Sequence, residues 1–114
     1  MRTRVYIAGP ISKGILRHNI RQATQAGLIL LKAGFAPLVP QLTCYMDGPI
    51  PQNLPGHTAI DQWYESDMAW VFACDCVLRL EGESVGADAE VECALSLGKP
   101  IFYCLNDLLE AYPP

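Results

Sequence analysis

The sequence predicts an α/β fold: a single-domain, doubly wound, mostly parallel sheet of four to five strands with helices on both faces. Two observations lead there. Short apolar runs alternate with segments of helical spacing, and a glycine or proline punctuates most of the joins. The length, 114 residues, fits one domain, read here as residues 1–114, and supports a core without metal or disulfide staples.

The first strand is Arg4–Ala8, because Val5-Tyr6-Ile7-Ala8 is wholly apolar and Gly9-Pro10 stops it. The loop at 9–17 carries two glycines with Ser12, Lys13 and Arg17, at the place where α/β folds set ligand loops. Asn19 and Gln22 have capping-box spacing and predict a helix start. Ile20, Ala23, Gly27, Leu30, Leu31 and Gly34 follow at helical spacing. Gly27 predicts a close approach of helix to sheet, at a propensity cost of about 1 kcal/mol relative to alanine. Lys32-Ala33-Gly34 ends the helix with a cation and a C-cap glycine. Phe35-Ala36-Pro37-Leu38-Val39 is a second strand, and its proline points to a strand start or a sheet edge.

Residues 40–57 form a long irregular stretch with four prolines and two glycines, the kind of length usual for lids and binding loops. Its large apolar residues, Tyr45 and Met46, either fold back on the core or stack on a ligand. Thr58, with Asp61 three residues later, opens the next helix. Ile60, Trp63, Tyr64, Asp67, Val71 and Cys74 fall near one face of it, and Asp67 is the anomaly on that apolar face. Asp75 leads into a strand at 76–80, a helix at 86–97 is closed by Gly98, a strand follows at 101–104, and residues 105–112 form a short helix. Such alternation predicts a Rossmann- or flavodoxin-like parallel sheet with right-handed crossovers. The segments after the strands, from Gly9, from Pro40 and at Glu81-Gly82-Glu83, should converge on one edge of it.

Composition narrows the function. The chain is 51% hydrophobic and 18% charged, which is globular and not disordered. A net charge of −4 without a Lys/Arg run argues against a nucleic-acid polymer as partner and leaves room for one small anionic ligand. No run reaches membrane-spanning length and the start lacks a signal-peptide core, so the expected setting is cytoplasmic and no membrane is involved. The five cysteines form no Cys-x-x-Cys pair and read as small buried hydrophobes. His18 and His57 have no ligand spacing, no Gly-x-Gly-x-x-Gly or Walker A motif is present, and no metal or cofactor is expected.

The stretch Ser84-Val85-Gly86-Ala87-Asp88-Ala89-Glu90 carries the chemistry. At about 100° per residue, Ala87, Val91, Ala94, Leu95 and Leu97 define an apolar arc that contains Glu90, with Asp88 just past one edge and Glu92 well outside. Burial would raise the pKa of Glu90 and the helix dipole would lower it. Its structural alternative is a cap or a pair with Arg79; for Asp67 it is a partner among Tyr6, Tyr64 and Lys99. Two inward carboxylates near strand carboxyl ends suit glycosidic cleavage. Ser84 reads as the helix N-cap or, in the same geometry, as a phosphate contact beside free amides around Gly86 and Ala87.

Three stretches resemble the nucleoside 2-deoxyribosyltransferase superfamily, including its 2'-deoxynucleoside 5'-monophosphate N-glycosidases: Val5-Tyr6-Ile7-Ala8-Gly9-Pro10-Ile11; Asp67-Met68-Ala69-Trp70 with Cys74-Asp75; and Ser84 to Glu90 with Ala94 and Leu97-Gly98-Lys99-Pro100. The resemblance implies Glu90 as a nucleophile forming a glycosyl ester at C1', Asp67 assisting the base, and Tyr6 orienting the glutamate. It implies Gly9, Pro10, Ile11, Gly86 and Ala87 around a nucleoside or nucleotide, and Ser84 near a 5'-phosphate. It further implies a homo-oligomer, dimer or tetramer, whose neighbouring subunit lends a polar residue; Asn106 is the one candidate counterpart, and Glu92 replaces the family's glycine. The rival reading is a non-catalytic nucleotide-binding or sensing module on the same fold.

Overall fold

The computed structural model describes residues 1–47 and 60–113. Four strands form an all-parallel sheet in the order β2-β1-β3-β4: β1 Arg4–Ala8, β2 Ala36–Leu38, β3 Cys76–Arg79 and β4 Ile101–Phe102. The helices are α1 Leu16–Lys32, α2 Cys44–Asp47 (preceded by a 3-10 turn, Pro40–Thr43), α3 Ile60–Ala73, α4 Val85–Ser96 and α5 Leu105–Ala111. The expected α/β class, parallel pairing and helices on both faces are all present. Pro37 sits in β2, an edge strand, where a missing N–H is tolerated.

Strand alternation sorts the core into two layers. Val5, Ile7, Cys76 and Leu78 point to one face and meet Ala23, Ala26 and Leu30 of α1 and Leu108 of α5. Tyr6, Ala8 and Val77 point to the other and meet Val71 of α3 and Ala87 and Ala94 of α4. The second layer is made largely of small residues, so α4 approaches the sheet closely. That closeness brings a side chain from the first turns of α4 into reach of β1.

Several sequence expectations are corrected here. Asn19 does not cap α1: the helix starts at Leu16 behind Ile15, which contributes no side-chain cap. Leu31 of the α1 stripe is 48% exposed, because the buried face runs through Ala23, Ala26, Gly27 and Leu30. On α3, Tyr64 is 51% exposed, while Val71, with Cys74 just past the helix end, is buried. On α4, Leu95 and Leu97 are exposed, and the face against the sheet is Ala87, Glu90 and Ala94. Tyr45 and Met46 do not fold back on the core; both are exposed. Cys74 and Cys76 are buried as expected, but Cys104 is exposed. The helix start assigned to Thr58, and His57, lie outside the described residues.

Gly27 performs its expected role. A Cβ there would stand 2.9 Å from Val39 Cγ2, so α1 lies directly on the segment leaving β2. Val39 is β-branched and short, and it cannot swing clear. Replacing Gly27 with leucine should lower unfolding free energy by about 1–3 kcal/mol. Leu28→Gln on the outer face should change it by less than about 0.5 kcal/mol. Urea unfolding of the two variants checks the contrast.

Candidate functional site

The strand order reverses between β1 and β3: the chain moves from β1 outward to β2, then returns across to β3 and β4. Ligands of open α/β sheets bind beyond the strand carboxyl ends at such a reversal. A cavity of about 300 Å³ lies there. The three segments expected to converge do so. Gly9, Ile11, Ser12 and Lys13 come from the loop after β1, Pro40 and Gln41 from the turn after β2, and Glu83 and Ser84 from the turn after β3, continued by Val85 to Ala87 at the start of α4. Ile7 of β1, Asp67 of α3 and Glu90 of α4 complete the wall.

Glu90 is 8% exposed. The Tyr6 phenol donates to its Oε2 at 2.6 Å. Tyr6 lies on β1 and is fully buried, so it stands behind the glutamate and outside the cavity lining. Burial pushes the Glu90 carboxyl up to about 7, and the neighbouring Asp67 charge adds to the rise. The Tyr6 hydrogen bond, and more weakly the Arg79 charge, pull the other way. Burial is the largest influence, and it outweighs the Tyr6 hydrogen bond and the Arg79 charge. Burial also raises Asp67, to about 6. The phenol of Tyr6 is held far above its ordinary range by burial and by the carboxylate beside it, and it stays a donor.

The two basic residues weighed as structural partners for these carboxylates bond elsewhere. Arg79 pairs with Asp88 at 3.0 Å and donates to the carbonyls of Leu80 and Gly82. Lys99 Nζ donates to the carbonyls of Val71, Phe72 and Cys74, where it caps the C-terminal end of α3. Glu92 is exposed, so the helical projection separates the two glutamates correctly.

Ser84 is the N-cap of α4, its Oγ accepting from the Ala87 amide at 3.0 Å. That engages one of the amides expected to be free. Among the described residues, the unpaired amides of the first turn are those of Val85 and Gly86, and both residues line the cavity. A Cβ on Gly86 would meet nothing nearer than Ser84 Oγ at 4.0 Å, so its openness faces the cavity. Gly9, in contrast, is hemmed in by Leu80 and Gln41. Pro10 does not line the cavity. It packs against Gly82, whose φ of +120° and 2.8 Å Cβ-to-Pro10 Cγ spacing admit glycine alone without strain.

Gln41 was not singled out from the sequence. It is 1% exposed, its Nε2 donates to the carbonyls of Ile7 at 3.2 Å and Gly9 at 3.5 Å, and among the described residues its Oε1 is buried without a partner. Both neighbours of Nε2 are acceptors, so the amide cannot be flipped. A buried acceptor without a partner, on a residue that lines the cavity, is uncommon in a folded chain. The only sequence signal was its position directly after the second strand and Pro40.

The match to a family model settles what the chain is. Residues 3–103 match the family described as "Domain of unknown function (DUF4406)". The chain belongs to the DUF4406 family. No curated protein matches it. Among solved structures, this DUF4406 chain is similar to the 2-deoxyribosyltransferase of Bacillus psychrosaccharolyticus, with a TM-score of 0.67 and 16% identity over 97% of this chain and 93% of that one. The likeness establishes a shared fold, which is the fold the sequence resemblance implied.

The raised carboxyls fix a sign for stability against pH. The Glu90 carboxyl titrates near 7 in the fold against an ordinary value of 4.5. The protonated acid therefore suits the folded state, and its contribution is full below about 4.5 and lost as pH rises through about 7. Glu90→Gln should accordingly gain stability relative to the wild type on going from pH 5 to pH 8, by on the order of 1 kcal/mol or more. Thermal or urea unfolding at the two pH values measures it.

Proposed function

We propose that the protein cleaves, or transfers at, the N-glycosidic bond of a nucleoside or nucleoside 5'-monophosphate through a glycosyl–Glu90 intermediate. One observation carries the reading: a buried glutamate, held through one oxygen by a tyrosine, faces the same cavity as a second raised carboxyl at the reversal of strand order. Tyr6 occupies Glu90 Oε2 and leaves Oε1 to attack. In the first step Oε1 bonds to C1' of the sugar as the C1'–N bond breaks. The electron pair goes to the base nitrogen, and Asp67 supplies the proton that completes the leaving base. In the second step water, or a second base, attacks C1' and frees the carboxylate, and its proton returns to Asp67. Only the acceptor separates hydrolysis from transfer.

The 5' side of the substrate belongs at the start of α4. The Ser84 hydroxyl, the Val85 and Gly86 amides and the Lys13 ammonium line that end of the cavity and suit a phosphate. Gln41, a lining residue whose buried Oε1 has no partner among the described residues, is the contact we assign to an N–H of the base. Gly9 and Ile11 flank the space between. We read the working form as a homo-oligomer, by analogy with the family resemblance. Exposed Trp70, Leu95 and Tyr103 supply apolar surface for it.

Incubation with a panel of nucleosides, 2'-deoxynucleosides and their 5'-monophosphates should release free base, read by chromatography. Glu90→Gln should slow release by on the order of 10³-fold or more, since groups acting as a unit are strongly non-additive. Glu90 must be ionised while Asp67 keeps its proton, so kcat/KM should be bell-shaped with its maximum between about 6 and 7, the two values belonging to the coupled pair. Tight binding without base release, at high protein concentration and long times, would replace catalysis with the sensing module.

A further inference from the structure

The segment leaving β1 is held by two buried carboxamides from two different elements. Gln41 takes the carbonyls of Ile7 and Gly9; Asn19 takes those of Ile11 at 2.9 Å and Lys13 at 2.7 Å. Alternate carbonyls from Ile7 to Lys13, a stretch whose Ile7, Gly9, Ile11, Ser12 and Lys13 line the cavity, thus bond to two side chains. Asn19 lies in the first turn of α1 yet faces inward, 6% exposed, with both amide hydrogens committed. Its partners are both carbonyl oxygens, so chemistry fixes its orientation too. Asn19 itself is not part of the cavity lining, whereas Ile11, Ser12 and Lys13 are.

Pro10, packed against Gly82, anchors the start of this loop, and Ile11 is half-buried. Past Ile11, among the described residues, little else holds it: Ile15 is 72% exposed and Leu16 44%. Gly14, at φ +84°, meets nothing within 4 Å. The Lys13–Glu83 pair, at 3.9 Å with both side chains largely exposed, contributes little. Asparagine is a favoured N-cap and a poor helix-interior residue. Here it stands four residues past an uncapped Ile15, a position that serves the loop and not the helix end.

We propose that Asn19 is a positioning residue that holds the 11–13 wall of the cavity in its binding shape and so sets ligand affinity, not the rate of the chemical step. The choice of ligand rests on the glycosidic reading above; the tethering does not. Two lost hydrogen bonds should raise KM about ten- to a hundredfold in Asn19→Ala. Because the groups that react are untouched, kcat should stay within about threefold.

The test uses the full chain, Asn19→Ala and Asn19→Ser, each first shown to be folded by circular dichroism; the serine keeps one donor and a smaller cavity should the alanine not fold. Trypsin cleavage after Lys13 should be slowest in the wild type and faster in either variant, fastest where both donors are lost. With the 2'-deoxynucleoside 5'-monophosphate that releases base fastest, KM should rise in the same order while kcat holds. Unchanged cleavage with unchanged KM overturns the proposal, and so does a fall in kcat at constant KM. Should the wild type release no base from any substrate, the glycosidic reading fails by itself. Trypsin cleavage, together with calorimetric Kd values for the four 2'-deoxynucleoside 5'-monophosphates, then decides the role of Asn19: faster cleavage supports it, and wild-type cleavage with wild-type Kd values rejects it.

Discussion

The Tyr6–Glu90 hydrogen bond is the constraint on which the site depends. It joins an inner strand to the second turn of a helix across 84 residues of chain, within a layer otherwise built of small apolar side chains. A carboxylate without a partner at that depth would be expelled or permanently protonated. With a phenol donating to one oxygen, the group stays buried, stays oriented, and titrates near neutrality. Each feature around it serves the same placement. Ala87 and Ala94 let α4 lie close to the sheet, Ser84 fixes where the helix begins, and Arg79 and Lys99 are engaged with other partners.

The cavity is bounded on its other side by backbone held in shape by side chains. Buried amides at Asn19 and Gln41 bind the carbonyls of the loop after β1, and Pro10 abuts Gly82 in the loop after β3. These contacts cross between elements far apart in sequence, so the cavity walls form only when the sheet has assembled. The result is a cavity whose buried carboxylate and whose loops are positioned by separate sets of contacts.

Much of this was legible in the sequence, for physical reasons that differ by element. The apolar runs at Val5 and Cys76 are continuous because parallel strands are buried on both faces, and that continuity revealed the sheet. Glu90 was separable from Glu92 because α4 is regular enough for a 100° projection to hold over three turns. The same projection failed for Leu95 and Leu97, since small residues already satisfied the sheet contact and the leucines were left outside. Asn19 misled because capping is a local rule, whereas its partners, Ile11 and Lys13, belong to a loop folded back on the helix. Gln41 carried no periodic or motif signal at all. Its importance comes from a long-range contact with β1 and from a lone pair left unmatched, and neither is visible before the chain is folded.

The claim that Glu90 is a nucleophile is tested most directly by mass spectrometry of protein quenched with acid during turnover. The peptide carrying Glu90 should gain the mass of one sugar or sugar phosphate, and the gain should be absent from Glu90→Gln treated alike. Base released at full rate with no adduct on any peptide, and undiminished in Glu90→Gln, would contradict it.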